Sequence, residues 1–224
     1  MNYTFQFGEV LGDLPYLLGG AVLTLQIAFI SFWGGTLIGI CGAIAKVYGG
    51  KATQKAASFY VTLFTNTPAL VQIFLLYYAL PDAGIVLSSM AAVLIGLTLN
   101  AGAYLTEILR AGVISVRRSE MDAATALGMS WLQLLRYVML PHIAKIIYAP
   151  LSNFFVWLVL GSSMAALFGV EELTGRAINI STGSLRSIET FAVVAVIYMV
   201  LTVIASFTLN LVGRWAFRVK AKVF

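Results

Sequence analysis

Five stretches of this chain contain no Asp, Glu, Lys or Arg: those between Asp13 and Lys46, Lys55 and Asp82, Asp82 and Glu107, Lys145 and Glu171, and Glu189 and Arg214. Each holds at least 24 residues. About 20 apolar residues, rising 1.5 Å each, cross the roughly 30 Å hydrocarbon core of a bilayer. The windows therefore predict an all-α membrane protein with five transmembrane helices. Their expected positions are about residues 16–45, 56–80, 85–106, 146–168 and 190–211, within one transmembrane domain over residues 1–224. Charged residues make up 10% of the chain, against about 25% in soluble domains, and no soluble domain is left over.

The basic residues set the expected orientation. Twelve of the fourteen Lys and Arg follow the first, third and fifth windows: Lys46, Lys51, Lys55, Arg110, Arg117, Arg118, Arg136, Lys145, Arg214, Arg218, Lys220 and Lys222. The opposite face receives Arg176 and Arg186 with Glu9, Asp13, Asp82, Glu171, Glu172 and Glu189. Positive charge stays cytoplasmic, so the N-terminus is expected outside and the C-terminus in the cytoplasm. The net charge of +5 then reflects topology, and no nucleic-acid partner is implied. The N-terminal segment lacks the basic start of a cleaved signal, and the first span is expected to be retained. Cys41, the one cysteine, excludes an internal disulfide and reads as a buried inert thiol.

The first span is rich in glycine (Gly19, Gly20, Gly34, Gly35, Gly39, Gly42), which suits close helix packing in lipid. The second carries Pro68 in its middle, where a kink is expected. A loop of about twenty residues follows the fourth span, and no internal repeat is evident.

Against this oily background one stretch stands apart: SEMDAATALGMSWLQLLRYVMLP, from Ser119 to Pro141. Ser119 with Asp122 makes an S-x-x-D capping box. Glu120 and Asp122 complement the helix dipole, and Ala123, Ala124 and Ala126 favour helix. Gly128 supplies a left-handed stop. Ser130 and Gln133 form a second box that starts the next helix, which Pro141 kinks or ends. A short rigid helix over about 119–128 results, with small residues on one side and Met121 and Leu127 as apolar anchors. Its apolar face is too meagre for lipid anchoring, so a partner protein is expected to receive it in a groove.

This stretch resembles the EAA loop of bacterial ABC importer permeases, a pattern of Glu-Ala-Ala, three residues, Gly, about nine residues, then an apolar residue and Leu-Pro. Asp122, Ala123, Ala124, Gly128, Leu140 and Pro141 fall on that pattern, with Asp replacing the usual Glu. The stretches TNTPALVQIFLLYYALP (65–81), LNAGAYLTEILRAGV (99–113) and the region from Ser162 to Thr174 resemble the polar amino acid branch of the family.

The resemblance implies a type I ABC importer permease fold, a multi-pass location in the bacterial inner membrane, and a transport subunit that is not itself an enzyme. The helix at Ser119, Glu120, Met121, Asp122, Ala123, Ala124, Leu127 and Gly128, with Leu140 and Pro141 behind it, becomes the coupling helix. It docks on a cytoplasmic ABC ATPase dimer. ATP and Mg belong to that partner, and this chain binds no cofactor or metal. The other implied partners are a second permease chain, similar or identical, an extracytoplasmic solute-binding protein docking at Glu171, Glu172 and Arg176, and membrane lipid.

Several absences agree with the resemblance. The chain has no G-x-x-x-x-G-K-[ST] phosphate loop, so ATP hydrolysis falls to another chain. No carboxylate, Lys or Arg lies deep within a span, where ion-coupled carriers keep proton relays. The one histidine, His142, lies outside the spans and has no metal-ligand neighbour, and no catalytic set for an intramembrane enzyme is present. A self-contained channel or secondary carrier for small polar solutes is the alternative reading.

Polar residues inside spans must face protein or water, and this gives the candidate substrate pathway: Thr65, Asn66, Thr67, Pro68, Gln72, Asn100, Asn153, Ser162 and Ser163. The chain departs from the family pattern at Thr65-Asn66, where many relatives have Arg, and at Leu160-Gly161, where many carry Lys-Asp or Lys-Asn. Both changes remove charge from the implied pathway. They lean the expected substrate toward polar amino acids with acidic or amide side chains.

Overall fold

The structure, a computed structural model, describes residues 4–217, and those residues form helices joined by short turns. In chain order they are α1 (Phe7–Gly12), α2 (Leu14–Tyr48), α3 (Lys51–Thr65), α4 (Ala69–Phe74), α5 (Ser89–Ile114), α6 (Arg118–Ala126), α7 (Trp131–Leu134), α8 (Leu140–Gly161), α9 (Leu173–Ser184) and α10 (Ser187–Phe217). Four stretches are long and apolar enough to cross a membrane: Leu14–Tyr48, Ser89–Ile114, Trp131–Phe168 and Ser187–Ala216. A fifth exists if the bent pair Lys51–Thr65 and Ala69–Ala83 is one span. Of the basic residues counted for orientation, Arg218, Lys220 and Lys222 lie outside the described residues.

That pair corrects the expected second span. The helix over 56–80 is not kinked at Pro68 but broken, with a bend of 100°. Proline donates no amide hydrogen bond and drives the residue before it out of helical geometry. The last turn of α3 is also fully capped by side chains. Thr65, Asn66 and Thr67 donate back to the carbonyls of Val61, Thr62 and Leu63 at 2.7, 2.8 and 2.7 Å. From α5, Asn100 Nδ2 donates to the Phe64 carbonyl (3.1 Å) and the Tyr104 hydroxyl to the Thr65 carbonyl (3.3 Å). Five successive carbonyls thus have side-chain donors, and the helix ends without exposing its C-terminus.

Two further boundaries move. The expected fourth span, 146–168, starts earlier, because helix runs from Trp131 through Pro141. A π turn over Leu135–Met139 lets it through: the Leu140 amide reaches back five residues to the Leu135 carbonyl. The wider turn moves the carbonyl with which a proline ring would collide. The same device precedes Pro81, where Leu75–Ala79 is a π turn and Leu80 N–H bonds to Leu75 O. In sequence the two are LLYYALP and LRYVMLP, a shared L-x-Y-x-x-L-P. The expected loop after the fourth span also contains a twelve-residue helix, α9.

Two compact units divide the chain. The first comprises the chain through Ser31, Ala69–Leu97 and Phe155–Phe207. One of its cores gathers Ile27, Ile73, Val93, Leu97 and Phe168, and another gathers Val10, Leu17, Leu173, Ala177 and Val194. In it α9 sits over the Gly19-Gly20 pair of α2: a Cβ on Gly20 would come within 2.9 Å of Leu173 Cα and 2.8 Å of Arg176 Cδ.

The second unit comprises Phe32–Pro68, Thr98–Phe154 and the chain from Thr208. Here the remaining glycines of α2 meet α5 at backbone distance. A Cβ on Gly35 would lie 2.7 Å from Ala101 Cβ, and one on Gly39 3.0 Å from the Leu105 carbonyl carbon. The glycines expected to suit close helix packing do bring these two helices together. At the end of that contact Lys46 Nζ meets Glu107 Oε1 at 2.5 Å, and Glu107 Oε2 pairs with Arg110 at 2.8 Å. Cys41 is exposed on α2, not buried as expected.

The α9 C-terminus stores a little strain. Leu185 closes it at φ 58° with its side chain 83% exposed, a left-handed conformation that glycine adopts freely. Leu185→Gly is expected to raise stability by about 1 kcal/mol, read as a higher thermal midpoint in detergent with activity unchanged.

Candidate functional site

α6 is the one helix among the described residues that combines two acids with an alanine run. Its start corrects the expected cap. The chain enters through Arg117 in an extended conformation, and Arg118 is already helical. Ser119 therefore lies inside the first turn, and no Ser119–Asp122 box forms. The second box does form: Ser130 N–H donates to Gln133 Oε1 (2.8 Å) and Gln133 N–H to Ser130 Oγ (3.4 Å). Between them Gly128 takes φ 76°, with Gly128 N–H bonded to Thr125 O and Met129 N–H to Ala124 O. This is the paired closure of a left-handed helix stop.

The two sides of α6 have different surroundings. Ala124 is 3% exposed and packs with Val116, Leu134, Met139, Ile143 and Ile147, and Met121 lies against the same cluster. Met121 is therefore spent on the chain's own core and is no free anchor. Ser119, Asp122, Ala123 and Gly128 are exposed, and Leu127 is 82% exposed. Glu120 is half-buried and faces His142 Nδ1 of α8 at 3.8 Å. Leu140 and Pro141 are exposed at the start of α8. Ala124 thus lets α6 lie against the ends of α5 and α8, while Ala123, Ala126 and Gly128 stay exposed beside Leu127. A push on that exposed side reaches both long helices through one apolar cluster.

The pathway candidates divide between the units. In the second unit Asn66, Pro68 and Asn153 are exposed, Thr65 and Thr67 are half-buried, and Asn100 is 2% exposed. Thr65, Asn66, Thr67 and Asn100 are brought together, but as caps of the broken helix: their donors go to the last turn of α3. Beside them the Tyr104 and Phe154 rings stand 5.6 Å apart. In the first unit Gln72 and Ser162 are buried, and Ser162 Oγ donates to the Val159 carbonyl (2.9 Å). Ser163 is half-buried.

Two of the acids counted on the outer face are buried. Glu172 and Glu189 are both fully buried in the first unit. Glu189 accepts from the Gln6 amide at 3.0 Å, while Arg186 holds the Thr4 carbonyl at 3.2 Å, so the start of α10 anchors the N-terminal segment. Glu172 caps α9 from within the helix packing. It is therefore no docking charge for another protein. Glu171 remains exposed, accepting from Tyr16 Oη (3.2 Å) and Asn179 Nδ2 (3.2 Å). The Arg176 guanidinium lies 4.6 Å over the Tyr16 ring. The sequence signal for Glu172 was its place one residue before a helical run, the N-cap position.

Apolar helices of membrane-crossing length, a bent pair that makes a fifth span if it crosses as one, and a capped, half-exposed helix between α5 and α8 describe a multi-pass membrane protein. Residues 35–218 match the family described as binding-protein-dependent transport system inner membrane component. The chain belongs to that family and is an amino-acid ABC transporter permease. It is 32% identical over 212 residues to the glutamine transport system permease protein GlnP of Escherichia coli K12, covering 94% of this chain and 97% of that one. To the L-cystine transport system permease protein TcyB of Bacillus subtilis it is 31% identical, covering 93% and 89%. A crystal structure of an amino acid ABC transporter with histidines superposes with a TM-score of 0.88 at 31% identity, covering 95% of this chain and all of that one.

Proposed function

We propose that this chain is the membrane subunit of a bacterial inner-membrane importer that carries a polar amino acid inward. The observation that carries this reading is α6: one side locked into the ends of α5 and α8, the other exposed with Leu127 at its edge. A cytoplasmic ABC ATPase dimer, which holds the ATP and Mg, receives that edge and drives the long helices when it closes. The charge asymmetry supports α6 on the cytoplasmic side and α9 on the outside.

A second permease chain completes the pathway, and a solute-binding protein docks on the exposed parts of α9 beside Glu171 and Asn179. The chain hydrolyses nothing itself, since it lacks a phosphate loop. Glutamine is the proposed substrate: Thr65-Asn66 and Leu160-Gly161 leave the pathway uncharged, and the chain is similar to a glutamine permease. Acidic side chains are the other members of the proposed class.

Reconstitution tests this. Proteoliposomes holding this chain, its second permease chain, its ATPase and its solute-binding protein are expected to accumulate labelled glutamine only with every component and ATP. Uptake by this chain alone would show a self-contained carrier instead.

A further inference from the structure

Glu172 is a carboxylate with no solvent exposure, and four donors converge on it. Its Oε1 accepts from the backbone amides of Thr174 (2.9 Å) and Gly175 (3.0 Å), the first turn of α9. Its Oε2 accepts from Thr24 Oγ1 of α2 and Tyr198 Oη of α10, both at 2.9 Å. Thr24 Oγ1 also accepts from the Leu173 amide (3.2 Å), and Thr174 Oγ1 lies 2.9 Å from Tyr198 Oη. With the Tyr198 proton committed to Glu172, the Thr174 hydroxyl donates to Tyr198. One buried group therefore joins three helices, and every donor it uses is uncharged.

A helix cap needs only the two amides. The second oxygen, turned to Thr24 and Tyr198, is beyond what capping requires. Hydrogen bonds to a charged acceptor away from water are stronger and more directional than neutral ones. Together with Arg176 Nη1, which donates to the Tyr16 carbonyl of α2 at 2.7 Å, they fix the position of α9.

We infer that Glu172 is a positioning residue for transport: its buried carboxylate ties α9 rigidly to α2 and α10, so that a protein docked on α9 loads both long helices. The inference rests on the proposal that a solute-binding protein docks on α9.

Tyr198→Phe and Thr24→Val each remove one donor to Glu172 Oε2 and leave the two amide bonds to Oε1 in place; Thr24→Val also takes the acceptor from the Leu173 amide. In the whole transporter in nanodiscs, with ATPase and glutamine-loaded solute-binding protein, the wild type is expected to hydrolyse ATP faster when the binding protein is added. Each variant is expected to lose most of that stimulation while keeping the basal rate. Hydrogen exchange of the first-turn amides of α9 is expected to rise roughly tenfold in both. Full stimulation in both variants, or unchanged α9 exchange, would overturn the inference and leave the function standing. An equal fall in basal rate and stimulation would show a merely structural role and overturn it as well. A wild type that the binding protein does not stimulate would overturn the docking proposal and the inference with it.

Discussion

Gly39→Leu is expected to abolish recovery of folded protein from the membrane. A Cβ at Gly39 already lies 2.9 Å from Leu105 Cβ and 3.0 Å from the Leu105 carbonyl carbon. The obstacle is partly backbone, so no rotamer change clears it. Leucine adds three carbons beyond that Cβ, and α2 must leave α5 to admit them. Overpacking of this kind costs about 3 kcal/mol or more. The separation also pulls Lys46 from Glu107 and leaves a half-buried ion pair open. Size-exclusion profiles and thermal midpoints in detergent check this. Gly8→Leu is the control, since nothing lies within 4 Å of a Cβ there. A monodisperse Gly39→Leu protein with an unshifted midpoint would mean that the contact is not as close as described.

That contact is a part of the fold the sequence made legible. Glycine spacing on an apolar helix carries a packing instruction directly, because only a missing side chain lets two backbones touch. Four of the five windows were equally plain, each covered by one helical stretch long and apolar enough to cross a membrane. What the windows did not carry was continuity: a charge-free run looks the same whether it holds one helix or two. At Pro68 the proline and the local caps do not by themselves tell a kink from a break; Asn100 and Tyr104 on α5 also donate to the Phe64 and Thr65 carbonyls, and such long-range partners leave no local trace. At Pro141 the reverse happened. A proline read as kinking or ending the helix was absorbed by a π turn, and only the recurrence of L-x-Y-x-x-L-P at 75–81 and 135–141 signals that device.

Leu127→Glu is expected to lower transport by about thirtyfold with folding unchanged. The side chain is 82% exposed, and surface substitutions of this kind stay within about 0.5 kcal/mol of neutral stability. If a partner groove buries it, a carboxylate there costs about 2 kcal/mol, the size of an interface hot spot. ATPase co-purification and glutamine uptake should fall together while the thermal midpoint holds. Ala124→Trp is a poorer probe, because Ala124 is 3% exposed in the core between α6 and α8 and its replacement damages this chain first. Loss of uptake with full ATPase retention in Leu127→Glu would place the contact elsewhere.

The alanine run, Gly128 and the Ser130 box could be read from sequence because each acts within four residues. Which side of α6 faced inward could not, since that depends on Ile143 and Ile147 of α8. Glu172 was misread for the same reason: its partners Thr24 and Tyr198 lie 148 and 26 residues away. The threonines and asparagines at 65–67 and 100 look like pathway residues to a rule that asks polar side chains in a span to face water. Freed carbonyls answer that requirement equally well.

The most direct test is a single cysteine at Leu127 in a Cys41→Ser background. In inverted membrane vesicles a membrane-impermeant maleimide is expected to label it, and a short thiol cross-linker should join this chain to the ATPase. Labelling from outside intact spheroplasts, or cross-links to every neighbour but the ATPase, would contradict the account.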